Sequence, residues 1–303
     1  MATLYSTYQA QVNARDVSDF VTNVSPKDSP FFSLIGSNSG VARLKENVTD
    51  ALAAANKDNA IAEGGTLSDD TIQTRSTESN YMQIFKKVIN VTGTQEVTAK
   101  YGGVSSEIAY QIKKRFTELA TDVEEAFIQG TSASGNTATA RSLNGLVAKI
   151  VTNTATADLT GATWTGTSDA NLAAFEEILN DMFDQMWTTG QAPDTVLVGG
   201  DRKRRISKLS TKVTRNVEAE RKTQILSINV YDSDFGTVNV ILDRYVPDAN
   251  VLAVALDMWE VSYLRRFTQM KLAKTTDSTR IAIVGELTLD GKTQKAGGKI
   301  TAS

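Results

Sequence analysis

The chain offers chemistry few tools. Its 303 residues include no histidine and no cysteine. A serine–histidine–aspartate triad, a histidine base, a thiolate nucleophile, disulfides and histidine or cysteine metal centres are therefore excluded. Carboxylates, lysines, tyrosines and backbone groups are left. Two charge clusters stand out among them: Asp122, Glu124 and Glu125, and the consecutive cations Arg202 to Arg205. Paired acids could run hydrolysis if two of them converge ~5–10 Å apart in a pocket, but no spacing here forces that. The cationic run is the candidate nucleic-acid contact, set against a solvated or intersubunit face. A net charge of −3 speaks against a dedicated nucleic-acid binder. No Gly-x-x-x-x-Gly-Lys-Ser/Thr loop, no Gly-x-Gly-x-x-Gly after a strand and no EF-hand spacing occurs. The expectation is a protein that is not an enzyme, with no cofactor and no metal.

The acids lie on SSEIAYQIKKRFTELATDVEEAFIQGT, residues 105 to 131. Ile108, Ile112, Phe116, Leu119, Val123 and Phe127 share one helical face. Ser105 or Ser106 can cap the start after Gly102 and Gly103, and Gly130 is placed for a left-handed C-cap. At ~1.5 Å per residue the rod is ~37 Å long. Anions at its C-terminal end oppose the helix dipole, so they form either a solvated face or a surface that meets cations from another subunit.

Apolar content of 41% and charge of 22% belong to a folded chain. No apolar run approaches the ~20 residues that span a bilayer, and MATLYSTYQAQVNARD has no signal-peptide core. The first ninety or so residues have no sustained core pattern. SPKDSPFFSLIG (Ser25 to Gly36) carries two prolines and is expected to be extended or turning. Residues 51 to 92 read as a second arm, with a turn at Gly64–Gly65 before the β-leaning NYMQIFKKVINVTGTQ. Phe31, Phe32, Tyr81, Ile84, Phe85, Val88 and Ile89 are too apolar for disorder. They are expected to bury on other copies of the chain.

After the helix, RSLNGLVAKIV reads as a turn into a strand, and residues 152 to 167 as a surface connection. DANLAAFEEILNDMFDQMWTTG is a second amphipathic helix, capped by Ser168 and ended by Gly190 and Pro193. DTVLVGG is a buried strand and DRKRRISKLS a short helix capped by Asp201. LSINVYDSDFGTVNVILDRYV reads as paired strands around Ser-Asp-Phe-Gly. NVLAVALDMWEVSYLRRF reads as another strand pair, and RIAIVGELTLDGKTQKAGGKITAS as a strand with a Gly/Lys-rich exit. The last segment is expected beside the long helix, with the middle α/β unit as an insertion.

This order of elements resembles the tailed-bacteriophage major capsid proteins of the Hong Kong 97 type (Johnson fold), and within them the phage SU-ten-like subfamily. NVSPKDSPFFSLIG is similar to their arm motif, VTGTQEV followed by EIAYQ to the lead into their spine helix, and ARSLNGL to the loop after it. SDFGTVNV, YLRRF and LAKTTDSTRIAIVGELTL are similar to their closing strands. The series covers about 280 residues. It departs from the subfamily at Arg266, where proline is expected, at Thr276, where glycine is expected, and in the tail GKTQKAGG.

The resemblance implies an α+β fold: N-terminal arm (1–50), extended loop (51–92), peripheral domain with spine helix 105–129 (93–167), inserted axial domain (168–256) and return strands (257–303). It implies a shell protein that assembles as pentamers and hexamers of an icosahedral or prolate head around double-stranded DNA, without sequence-specific DNA binding and without a membrane. Assembly is expected in the bacterial host cytoplasm, and the virion capsid is the destination. Scaffolding, portal and decoration proteins are the further partners; no long scaffolding region precedes the arm, so any scaffold is a separate protein. Intersubunit contacts fall to Pro26, Asp28, Pro30, Phe31 and Phe32 in the arm, and to Lys57, Glu63, Arg75, Lys86 and Lys87 in the extended loop. Glu124 and Glu125 at the helix end, and Arg265, Arg266, Lys274 and Asp277 near the close, complete the set. Some relatives lock the shell by a lysine–asparagine bond assisted by glutamate. Lys57, Lys86 and Lys87 could donate to one, but no donor, acceptor and glutamate match by position, and no cross-link is expected. The rival readings are an encapsulin-type nanocompartment shell, a carboxylate-based hydrolase and a DNA-binding protein.

Overall fold

The apolar stripe does make one long helix. In the computed structural model, which describes residues 28–67, 69–70, 72–98, 104–157, 168–209, 230–274 and 276–302, it spans Glu107–Gln129. Gly102, Gly103 and Pro26 lie outside the described residues. Elements are numbered in chain order: α1 Pro30–Leu34, β1 Gly36–Ser39, β2 Leu44–Thr49, β3 Ser76–Tyr81, β4 Gln83–Thr92, α2 Gly93–Val97 and the spine α3 Glu107–Gln129. Then follow α4 Leu146–Lys149, β5 Asn153–Ala157, α5 Asp169–Thr188, β6 Thr195–Val198, α6 Gly200–Leu209, β7 Val230–Ser233, β8 Gly236–Leu242 and β9 Asn250–Val254. β10 Trp259–Lys271, β11 Ser278–Gly291 and β12 Gly297–Ala302 close the chain.

The spine's first turn is capped twice. Ser106 Oγ accepts from Ala109 N at 3.3 Å, and Glu96 on α2 accepts from Glu107 N and Ile108 N at 3.1 and 3.3 Å. These bonds satisfy amides that a helix start leaves open and put an anion at the positive end of its dipole. At the other end Gly130 is not left-handed: its φ of −53° and ψ of 142° suit any residue. Glycine is needed for space. A Cβ on Gly130 would lie 2.4 Å from Ala126 O, and one on Gly145 would lie 2.6 Å from Gly130 N. The returning chain thus crosses the helix end in backbone contact.

Two sheets flank this rod. A four-stranded sheet runs β1-β10-β11-β4, and a six-stranded sheet runs β5-β12-β9-β6-β8-β7. The central strands β6 and β9 of the second sheet are buried on both faces, which explains their unbroken apolar runs. Val196, Val198, Val251 and Ala253 face α5 and α6, while Leu197, Leu252 and Val254 join the spine core with Phe127, Ile150 and Trp259. Among the described residues no helix is long and apolar enough to cross a membrane.

Several local expectations are corrected. Pro30–Leu34 is a helical turn with Pro30 at its start, where a missing N–H does no harm. RSLNGLVAKIV leads into the helical turn α4 rather than a strand. Residues 153–157, expected as surface connection, form β5, and the Gly/Lys-rich exit forms β12 beside it. β9 and β10 are not a pair: a 3-10 turn at Leu256–Met258 sends them to different sheets. Asp201 lies within the first turn of α6 rather than before it. The β7–β8 hairpin, the Ser168 cap and Gly190 at a φ of 86° agree with the sequence reading. So does the return of β11 to the spine side, where it pairs with β4.

The helix-end crossing can be checked directly. Gly145→Ala is expected to lower stability by about 1–3 kcal/mol through overpacking against backbone. Gly200→Ala, with no atom within 4 Å of the added Cβ, should be neutral or stabilising by up to ~1 kcal/mol. Equal losses in urea unfolding at both positions would remove the crossing as the cause.

Candidate assembly interface

The arm does not wait for another copy to bury its aromatic anchor. Phe31 and Ile35 are buried within their own chain, and the rings of Phe31 and Phe32 meet Phe127 edge-on at 6.5 and 5.9 Å. Glu124, expected to contact a neighbour's cations or solvent, is instead fully buried. Its two oxygens accept from Phe31 N and Phe32 N at 2.7 Å each, so it caps α1 from the side of the spine. Beside it lies Asp243, 1% exposed, with one oxygen accepting from Tyr245 N at 2.9 Å and the other, Oδ2, meeting no donor. Burial, reinforced by Asp243, pushes Glu124 up to about 8 against the lowering pull of the two arm amides. Burial likewise raises Asp243. Two neighbouring desolvated carboxyls favour a shared proton over two charges.

The hydrolase reading required two acids ~5–10 Å apart in a pocket; these two are buried, Glu124 is taken up by the amides of α1, and neither lines any of the described cavities. Among the described residues no cluster of three acids could hold a metal. The nucleic-acid patch also dissolves. Arg202 and Arg205 are each 4% exposed, Arg205 stacks over Phe175 at 5.0 Å, and Lys203 Nζ donates to Val240 O. Of the four cations only Arg204 is fully at the surface.

The base of the extended loop is tied down by polar side chains that sequence reasoning missed. Asp290, nearly buried, accepts from Asn38 Nδ2 at 2.8 Å and Asn47 Nδ2 at 2.5 Å and pairs with Lys45 at 3.3 Å. It therefore holds both β1 and β2. Glu78 on β3 takes Gln294 N at 2.7 Å, and Asn80 donates to Asn144 O and Leu289 O at 2.9 and 2.8 Å. Lys149, buried above the Trp259 ring at 5.9 Å, feels Glu78 and Asp290 while burial lowers its pKa. Polar residues on otherwise inward-facing strand positions were the available signal.

Beyond that stem the loop tip has little cover. Leu52, Leu67 and Ile72 are 99%, 84% and 90% exposed. Lys57 and Glu63 are exposed there, and Arg75 pairs with Asp50 at 3.3 Å. Elsewhere the expected contact residues are scattered. Asp28 lies 3.7 Å from Arg244, Lys86 and Glu125 are exposed beside a groove of about 490 Å³, and Lys87 is paired with Asp122 at 2.6 Å. Arg265 shares the buried Glu286 with Arg141. Arg266 lies over the Tyr263 ring at 4.9 Å, where β10 breaks register with β11. Lys274 and Asp277 are exposed, and Asp277 O accepts from Gly93 N at 3.2 Å.

Known proteins share this arrangement. The profile of the SU10 major capsid protein family matches residues 4–303. The major capsid protein of Escherichia phage Phieco32 is 25% identical over an alignment of 349 positions, covering 98% of this chain and 96% of that protein. Two solved structures are similar in fold. The capsid of a native GTA particle has a TM-score of 0.68 at 12% identity, with coverage of 99% of this chain and 100% of that one. The capsid of Cyanophage P-SCSP1u has 0.67 at 10% identity, with coverage of 96% and 93%. A spine, an arm, an extended loop and two sheets in this order define a phage shell protein of the Hong Kong 97 type. The chain belongs to the SU10 major capsid protein family, and neither the nanocompartment, hydrolase nor DNA-binding reading is favoured.

The Asp290 tie is testable. Asp290→Ala leaves Asn38, Asn47 and Lys45 without their acceptor and is expected to lower stability by about 1–3 kcal/mol. Hydrogen exchange should quicken in β1 and β2 and stay unchanged in α5. A uniform change would mean that the carboxylate has no special hold on the loop base.

Proposed function

We propose that copies of this chain join head to tail as pentamers and hexamers of a closed head that encloses double-stranded DNA, with the extended loop of each copy laid over its neighbour. The observation that carries this reading is the contrast within the loop. Its stem is held by Asp290, Glu78 and Asn80, while Leu52, Leu67 and Ile72 at its tip stand almost wholly exposed. Heterologous contacts of this kind close into rings when the rotation permits. On this reading the division into arm, extended loop, peripheral domain and axial domain is functional, and the axial segment around 168–256 lines the ring centres. A separate scaffold, a portal and decoration proteins act as partners, assembly takes place in the host cytoplasm, and the role is structural rather than catalytic. The DNA is enclosed without sequence readout.

Negative-stain electron microscopy of the purified chain, beside its size-exclusion profile, should show rings or shells tens of nanometres across. Replacing residues 52–72 with a Gly/Ser segment of equal length should leave the unfolding transition unchanged and abolish those particles. Particles as abundant as in the unaltered chain would refute the loop's role. A denaturing gel of mature particles should show one monomer band, since no lysine–asparagine bond is expected; a ladder would overturn that.

A further inference from the structure

We infer that the Glu124–Asp243 pair is a proton-held latch for the N-terminal arm, closed while the two acids share a proton and loosened when both are charged. The geometry carries the argument. Glu124 grips the first turn of the arm helix through two 2.7 Å bonds from Phe31 N and Phe32 N. Asp243 Oδ2 finds no donor of its own. A proton on Glu124 supplies that donor, since a protonated carboxyl donates through its hydroxyl and still accepts through its oxygens. Without the proton two buried anions are left side by side, and among the described residues no cation acts on either.

The charged groups around the pair leave this logic intact. On the spine, Asp122 is paired with Lys87, and Glu125 is exposed. After β8, Arg244 lies 3.7 Å from Asp28 of the arm, both of them largely exposed. Tyr245 contributes its amide to Asp243, while its carbonyl accepts from Gln129 Nε2 at 2.6 Å. On α1 itself there is no titratable side chain. Of the charged side chains, Asp243 acts on Glu124, and desolvation by burial is the larger cause of the shift.

The direction follows from linkage. A carboxyl raised in the docked state from 4.5 to about 8 stabilises docking fully below the lower value, and that contribution is lost as pH rises through the upper one. Between the two values the ratio of released to docked arm should grow by up to about tenfold per pH unit, the slope of one proton. Above that range it should level off.

The natural absence of cysteine permits a direct test. Leu34→Cys and Gln129→Cys, both at exposed positions, place one spin label on the arm and one on the spine of the full chain. Double electron–electron resonance from pH 5 to pH 9 should show a single short distance at the acid end and a growing second population toward the alkaline end. Adding Asp243→Asn removes one charge and supplies a permanent donor to Glu124, so the short distance should persist at every pH. A released fraction independent of pH in the parent, or the same rise with Asp243→Asn, overturns the latch. Infrared spectra give a second reading that does not depend on arm release. At neutral pH the parent should show a protonated-carboxyl band that weakens or shifts with Asp243→Asn, and a spectrum without that band in the parent also sinks the proposal.

Discussion

A carboxylate taken out of water has to be met by donors or by a proton, and this chain is held together through that requirement. Glu124 takes the arm's amides, Glu96 the start of the spine, Glu78 the turn before β12, Asp194 the amide of Leu256 and Asp290 the two asparagines of β1 and β2. Glu286, inside the four-stranded sheet, binds Arg141 from the loop after the spine and Arg265 from β10. Glu96 reaches only 11 and 12 residues on, but each of the other acids sits on one segment and grips another far away in sequence. Such directional ties fix orientation in a way that apolar contact alone does not. They also explain how arms with little core of their own stay in one place.

The hydrophobic framework supplies stiffness. β11 runs 14 residues between β10 and β4 and carries Ile283, Leu287 and Leu289 into the same core as Phe127 and Val123. Because the central strands β6 and β9 of the six-stranded sheet are apolar on both faces, the spine core and the α5–α6 core share one wall. β12 and β5 extend that wall from segments outside 168–256, so the inserted unit is sewn to its host by strands as well as by packing. Relative movement of the two halves must shear a sheet whose central strands are buried on both sides.

What was legible in the sequence is what local periodicity encodes. The stripe of α3 and that of α5 repeat within one helix, and Ser-Asp-Phe-Gly names its own hairpin. β5 escaped because Asn-Thr-Ala-Thr-Ala alternates only threonine with alanine and has no large apolar side chain, and its partner β12 begins more than a hundred residues later. β9 and β10 looked like a pair because the apolar run continues across the turn at Leu256–Met258, whose break is set by Asp194 from a distant segment. Glu124 was readable in part. At ~100° per residue it lies ~60° from Phe127 around the helix, whereas Glu125 lies ~160° away. The same phase puts Arg202, Arg205, Ile206 and Leu209 on the inner side of α6. Counting charges concealed what placing them on the helix would have shown. The arm was misjudged for a different reason: its aromatic pocket is built by the spine, and no count within residues 28–35 can reveal a pocket that lies about ninety positions on.

The extended loop has to be soluble before it is covered, if it serves the contact proposed for it. Its large exposed apolar residues stand apart, at Leu52, Ile61, Leu67 and Ile72, with small alanines beside the first two and Asp58, Glu63, Asp69 and Asp70 between them. Isolated apolar side chains among acids form no continuous patch, so they give little drive to indiscriminate association. Together, along a groove of matching spacing, they can all be buried at once. A floppy tether would surrender much of that gain in ordering its own stem. Here the stem is already ordered: Asn47 and Lys45 hold β2 on Asp290, Glu78 and Asn80 hold β3, and the two strands pair from Leu44–Tyr81 to Thr49–Ser76. The ties at the base therefore act on affinity at the tip, because only the residues beyond Thr49 and before Ser76 have freedom left to lose.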